Sequence, residues 1–213
     1  MADLSRYQHP RFAKAYARIS LESEARGTAE HRDRALAGLS GRVLELGAGN
    51  GMNFSHYPDT VTEVVAVEPD DILRAMAEER AARSPVPIRL VAGHAGALPA
   101  EDGCADAAVT SLVLCSVPDV PAALGELRRV LRPGGELRFF EHVRSASRWR
   151  GLLQDVVTPA WSLGGGGCHL NRDTATAIES AGFEVEELDR FSYAPLRFVP
   201  AHAHVLGIAR KPA

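Results

Sequence analysis

At 213 residues the chain is long enough for one α/β domain with a large core, and short for two. An apolar fraction of 46% and a charged fraction of 24% are those of an ordinary globular protein. With 24 Lys+Arg against 27 Asp+Glu, a formal charge of -3, there is no blanket of positive charge to make nucleic acid the expected partner.

Cys104, Cys115 and Cys168 are widely spaced and form no C-x-x-C pair, which argues against a disulfide framework or a zinc knuckle and fits a reducing compartment. Residues 1–6 lack the apolar core of a signal peptide. The longest apolar stretch, residues 107–117, is interrupted by Thr110, Ser111 and Ser116 and falls short of the roughly 20 residues that span a bilayer. A cytoplasmic protein without a membrane partner is expected, as a monomer or homodimer.

Residues 1–40 read as a helical cap, with Phe12, Ala13, Tyr16 and Ile19 at helical spacing and a charged stretch from Glu22 to Arg34. Beyond Gly41, short β-branched runs alternate with longer amphipathic ones, and 41–213 form one folding unit. Strands are expected at 42–46, 63–67, 86–91, 106–112 and 136–141. A glycine loop and a short helix near 52–56 follow the first strand. Helices follow at 70–83, capped by Asp70 or Asp71, and at 118–131, with Pro121 in the first turn where a missing N–H matters little. A helix at 147–161 leads to the flexible run Gly164-Gly165-Gly166-Gly167. Asn171 or Asp173 caps another helix that Gly182 ends. The last two strands, 183–191 and 203–209, are joined by a loop too short for a crossover helix and should pair antiparallel. The fold class is α/β: a doubly wound, seven-stranded, mostly parallel, Rossmann-like sheet with the last strand antiparallel.

The segment Val43-Leu44-Glu45-Leu46-Gly47-Ala48-Gly49-Asn50-Gly51 carries the most information. A strand ending in Gly-x-Gly lets a ligand approach the backbone at the carboxyl edge of the sheet. The dinucleotide fingerprint G-x-G-x-x-G would place its third glycine at Met52, whereas this chain has Gly51. Glu45 sits beside the loop and no Lys or Arg occurs from Leu46 to His56, an arrangement that repels a pyrophosphate. A ligand with an ammonium and a sulfonium is favoured instead, by Glu45 directly or through water. Glu68, ending the second strand, is placed to accept both hydroxyls of a ribose.

These residues, with Gly93-His94-Ala95, Leu98-Pro99, Asp106 and Val130-Leu131-Arg132-Pro133-Gly134-Gly135, resemble the class I methyltransferases that use S-adenosylmethionine (SAM), type 11 domain, over residues 41–141. The resemblance implies that Gly47, Ala48 and Gly49 line the methionine part of SAM, that Glu68 holds the ribose, and that His94 and Ala95 flank the adenine. Ser111 and Leu112 would offer backbone carbonyls to the ammonium. Glu45, Gly51 and Pro69 complete the expected cofactor-binding set. A narrower likeness, through Asn53-Phe54, Tyr57-Pro58, residues 111–117, Glu141-His142-Val143, Pro159-Ala160-Trp161 and Gly167-Cys168-His169-Leu170, is to the thiol S-methyltransferase branch. Its animal members carry a hydrophobic amino-terminal anchor; here that region is a polar helix.

SAM holds an activated methyl group, so the protein must place an acceptor in line with the sulfur–carbon bond and exclude water. A small-molecule thiol needs only partial deprotonation, whereas a phenol gains more from a general base. Cys115, beyond the fourth strand, and His142, ending the fifth, are the candidate catalytic residues; either is also explained as a core residue. Tyr7, Phe12, Tyr16 and Trp161 are candidates for an apolar acceptor wall. No metal site is expected, because the adjacent Cys168 and His169 cannot easily share one ion. The alternatives to a thiol methyltransferase are an O- or C-methyltransferase of a phenol, quinone precursor or secondary metabolite, and a non-catalytic SAM-binding module.

Overall fold

The computed structural model describes residues 3–213; Met1 and Ala2, the start of the polar amino-terminal stretch, lie outside the described residues. Helices α1 (Pro10–Ser23) and α2 (Ala29–Leu36) are joined across a kink at Arg26 and Gly27. Then follow β1 (Gly41–Leu46), β2 (Val61–Val67), α3 (Asp71–Ala81), β3 (Ile88–Val91), β4 (Ala105–Ser111), α4 (Val120–Val130) and β5 (Leu131–His142). Helices α5 (Arg148–Gly164) and α6 (Thr174–Ser180) precede the closing strands β6 (Glu184–Tyr193) and β7 (His202–Arg210). The seven strands lie in the order β3-β2-β1-β4-β5-β7-β6, and β7 alone runs against its neighbours.

Local chemistry explains most of the boundaries. Asp70 caps α3 by accepting from Ile72 and Leu73 N–H, Asp119 caps α4 through Ala122 N–H, and Asp173 caps α6 through Thr176 N–H. Strand β5 begins five residues earlier than the sequence suggests, because Leu131 already pairs with Ala105 before the Gly134–Gly135 irregularity. Helix α5 runs past Trp161 to Gly164, with Pro159 inside it.

Alternation along the strands sends Val43, Val64 and Ala66 to one face with Leu36, Leu39, Phe54 and Tyr57, and sends Leu44, Leu46, Val65 and Val67 to the other with Leu124, Leu127 and Ile178. Leu36, from the amino-terminal cap, is therefore part of the same core as the sheet. Leu46 is in register with Val67 and Thr110, Ser111 with Phe140, and His142 with His204. That register brings the carboxyl ends of β1, β2, β4 and β5 to one edge, which α1 and the segment before it cover.

Candidate active site

At the end of β1 the chain turns through Gly47 and Gly49, both with positive φ (68° and 56°). The N–H groups of Gly47 and Ala48 donate to Val67 O at 2.8 and 3.1 Å, which folds the loop back over β2. A Cβ on Gly47 would lie 2.6 Å from Val113 Cγ2, so glycine here lets the loop after β4 close against the loop after β1. Gly51 has a different task. Its missing Cβ makes room for the Phe54 ring at 2.7 Å, so the packing of the turn itself requires glycine here.

Glu68 is 5% exposed and holds this corner together. Its Oε2 accepts from Gly49 N–H at 2.7 Å and its Oε1 from Asp70 N–H at 2.9 Å. Burial pushes the carboxyl up to about 7, while those two N–H groups act the other way. The segment before α1 closes over the same corner: Gln8 Nε2 donates to Pro69 O at 2.8 Å, and His9 N–H to Asp70 Oδ2 at 2.8 Å. Tyr7 stacks on His94 with ring centroids 5.1 Å apart, and Ala95 beside it is buried. Tyr16 reaches the loop as well, 3.5 Å from where a Cβ on Gly49 would stand.

Glu45 turns out to be engaged inside the protein. Its two oxygens accept from Asn53 Nδ2 (2.8 Å) and the Tyr57 hydroxyl (2.9 Å), and burial raises its carboxyl above the usual range. Arg32 of α2, 4% exposed, donates to Asn53 Oδ1 at 2.5 Å and pairs with Glu24 at 2.7 Å. A count of charges within the loop missed this cation, which arrives from another element. Glu45 is thus 2% exposed and joined to the buried Arg32 through Asn53.

The second half of the edge is organised by Glu141, fully buried at the end of β5. Its carboxylate accepts from the successive N–H groups of Val113 (3.1 Å), Leu114 (2.9 Å) and Cys115 (3.2 Å). Burial raises its carboxyl, and these three donors oppose that shift. Just before them, Leu112 has φ 60°, the one positive value for a non-glycine among the described residues, and its N–H donates to Phe140 O at 2.7 Å. Such strain persists only where surrounding contacts over-determine it, here the Glu141 clamp. Ser111 Oγ accepts from Asn53 at 3.2 Å, linking this loop to the Glu45 network.

Cys115 and His142, the two candidate catalytic residues, do come together. His142 Nδ1 lies 3.5 Å from Cys115 Sγ and 3.2 Å from Cys168 Sγ, and the two sulfurs are 3.7 Å apart. The contact with Cys115 and the His142 imidazole hold the Cys168 thiol well below its ordinary value, against burial. Cys115 is raised, first by Cys168 and then by its own burial. Burial, the largest single influence, would lower His142, but the charge on Cys168, its hydrogen bond to the ring and the charge on Glu141 together raise the imidazole.

The sequence offers Cys168 no partner beyond its neighbour His169, with which it cannot easily share an ion, whereas the fold brings it against residues 53 and 26 positions away. His169 instead anchors the loop, its N–H donating to Cys115 O at 2.8 Å. The glycine run is packed too: a Cβ on Gly166 would meet the Phe12 ring at 2.8 Å, and one on Gly167 would meet Ser116 O at 3.1 Å. Trp161 packs against the Cys115–Cys168–Leu170 cluster. Phe12, Tyr16, Tyr7 and Trp161 therefore all lie over this edge of the sheet.

Residues 44–139 match the methyltransferase domain family. Human thiol S-methyltransferase TMT1B is 38% identical over 186 residues, 84% of this chain and 75% of the relative, and human thiol S-methyltransferase TMT1A is 37% identical over 183 residues, 82% and 73%. The chain belongs to the class I SAM-dependent methyltransferases, in the thiol S-methyltransferase branch. Its fold agrees with that of a solved SAM-dependent methyltransferase from Thermotoga maritima, with a TM-score of 0.71 and 22% identity over 94% of this chain and 96% of that one.

S-adenosylmethionine is thus the methyl donor, and the residues of this methyltransferase fit it. The ligand brings a sulfonium, an ammonium and two ribose hydroxyls. The edge offers a buried carboxyl on the verge of ionising, a glycine backbone and a stacked ring pair. No helix among the described residues is long and apolar enough to cross a membrane.

Proposed function

We propose that this methyltransferase moves the SAM methyl group to the sulfur of a small, partly apolar thiol in the cytoplasm. The observation that carries the reading is the cluster of Cys115, His142 and Cys168 at the edge that bears the glycine loop. An imidazole between two sulfurs offers a place where a third sulfur can shed its proton. The identity to thiol S-methyltransferases over most of the chain supports the same acceptor class. Free cysteines suit a reducing compartment.

In this reading Gly47, Ala48 and Gly49 line the methionine part of SAM and Glu68 accepts from the ribose hydroxyls. His94 and Ala95 flank the adenine, with Tyr7 stacked on His94 and Pro69 held beside it by Gln8. Leu112, in its left-handed conformation, and Ser111 turn their carbonyls to the ammonium. Gly51 and Glu45 shape the loop without touching the ligand. Phe12, Tyr16 and Trp161 wall the acceptor and keep water from the in-line path. The thiol loses its proton to His142, its lone pair forms the new sulfur–carbon bond, and the sulfonium bond's electrons stay with S-adenosylhomocysteine.

The test is mass spectrometry of a thiol, phenol and quinol panel incubated with the purified protein and deuteromethyl SAM. Labelled thioethers are expected. Label on phenol oxygen or ring carbon, with thiols untouched, would transfer the protein to the O- or C-methylating reading. No SAM consumption over the whole panel would make it a SAM-binding module. His142→Ala should retain SAM binding and lose about 10²-fold in thiol turnover.

A further inference from the structure

The geometry points to a metal site: Cys115, His142 and Cys168 hold a thiophilic divalent cation, Zn²⁺, with one coordination position left for an outside ligand. The three donor atoms form a triangle with edges of 3.7 Å (sulfur to sulfur), 3.5 Å and 3.2 Å (His142 Nδ1 to each sulfur). Zinc bonds of about 2.3 Å to sulfur and about 2.0 Å to nitrogen, at tetrahedral angles, require edges of about 3.8 Å and about 3.5 Å. Every edge of the triangle falls within about 0.3 Å of its tetrahedral counterpart. An ion can therefore seat with sulfur and nitrogen movements no larger than ordinary thermal displacements.

The scaffold around the triangle has the stiffness such a site needs. Cys115 is held at both of its backbone groups, by Glu141 accepting from its N–H and by His169 N–H donating to its carbonyl. The second of these bonds also ties the Cys168 loop to the Cys115 loop. His142 lies in register with His204 on β7, and the His202 and His204 rings pack against it with centroids 4.9 and 4.7 Å away. Cys115 and Cys168 are 1% and 6% exposed, and the apolar side chains of Leu170 and Trp161 surround them. Two thiols and an imidazole select zinc or cadmium over calcium or magnesium, which take oxygen ligands. His142, His202 and His204 make a second trio, and Nε2 of both His202 and His204 is buried without a partner, but the trio lacks sulfur. Soft donors favour the cysteine set.

Three protein ligands with a fourth position free is the pattern of a catalytic, not a structural, zinc site. In this respect the inference deepens the thiol reading above and rests on it. An acceptor thiol gives its proton to the hydroxide formed from the fourth-position water and takes its place as a thiolate ligand, and the hydroxide leaves as water. Its sulfur lone pair then forms the bond to the methyl carbon. The sulfonium–methyl bond breaks with its electrons on the cofactor sulfur, giving S-adenosylhomocysteine, and the thioether, a weak ligand, departs. With the ion in place His142 is a ligand through Nδ1, and coordination takes over the deprotonation assigned to it in the metal-free cluster.

The experiment uses the full chain, reduced and stripped with chelator, then titrated with Zn²⁺ and with Co²⁺ as a spectroscopic probe. About one equivalent of zinc by elemental mass spectrometry, and the thiolate-to-cobalt charge-transfer band of a four-coordinate site, are expected. Cys168→Ser and Cys115→Ser should lose both signals while still binding S-adenosylhomocysteine, which reports that they fold; His202→Ala should keep both. No binding by the reduced chain overturns the site, whether or not the cysteines prove to be joined in a disulfide. Metal retained in both serine variants, or lost in His202→Ala, overturns the ligand assignment. Stoichiometric, cysteine-dependent zinc without any thiol turnover upholds the site and ends the thiol reading. Thiol turnover that survives complete chelation upholds the thiol reading and overturns the catalytic role of the ion.

Discussion

Lowering the pH from 8 to 6 should weaken SAM binding about tenfold, and Glu68→Gln should abolish that dependence. Burial holds the Glu68 carboxyl up to about 7 in the ligand-free protein, so the group is largely neutral at pH 6 and largely charged at pH 8. A ribose needs hydrogen-bond acceptors and a sulfonium needs a negative field, and only the charged form supplies both. If SAM binds that form alone, the apparent dissociation constant scales as 1 + 10^(7 − pH), roughly 11 at pH 6 against 1.1 at pH 8, or about 1.4 kcal/mol. Binding at pH 6 should also release close to one proton, read by calorimetry in buffers of different ionisation enthalpy.

The same shift has a stability consequence of opposite sign. The folded protein retains the Glu68 proton up to about 7 while the unfolded chain loses it near 4.5, so stability falls as pH rises through that window, by about 3 kcal/mol in total. Glu68→Gln removes this pH dependence, so its stability should stay flat from pH 5 to 8 where the parent's falls. Its single oxygen can serve only one of the Gly49 and Asp70 N–H groups, and it should bind SAM more weakly. Equal SAM affinity at pH 6 and 8 in the parent, or an unchanged slope in Glu68→Gln, would refute the role of this carboxyl. Titrating S-adenosylhomocysteine in parallel separates the ribose contribution, common to both ligands, from the sulfonium contribution.

Gly47→Ala places a Cβ at φ 68° and against Val113, and should cost about 2 kcal/mol in thermal unfolding along with most S-adenosylhomocysteine affinity; Val113→Ala relieves the contact but not the backbone strain, so rescue should be partial. Arg32→Ala leaves Glu24 and the Glu45–Asn53 network without their buried cation, and chemical denaturation should show a loss of about 3 kcal/mol. Glu141→Gln replaces a carboxylate that serves three N–H groups by an amide with one oxygen. It should lower stability by about 2 kcal/mol and reduce turnover more than SAM affinity, because the Cys115 loop moves and the β1 loop does not. A turnover of Glu141→Gln equal to the parent's would show that the clamp serves stability alone.

The amino-acid sequence by itself determined the strand–helix alternation, the reversed last strand, the helix caps narrowed to Asp70 or Asp71 and to Asn171 or Asp173, and the glycine loop facing the acid that ends β2. Each of these is a local signal: a two-residue or helical period, a capping side chain, a glycine where φ must be positive. His142 and Cys115 were legible for a related reason, since residues at the carboxyl ends of adjacent parallel strands must be neighbours. Tertiary structure alone decided the rest. Arg32 reaches Asn53 across 21 positions, Gln8 reaches Pro69 across 61, and Cys168 reaches Cys115 across 53. No periodicity encodes such meetings, because they depend on how α1, α2 and the glycine run settle on a finished sheet. The charge felt by a ligand and the sulfur–imidazole triangle are therefore properties of the assembled fold, made by pairs of residues that look unrelated along the chain.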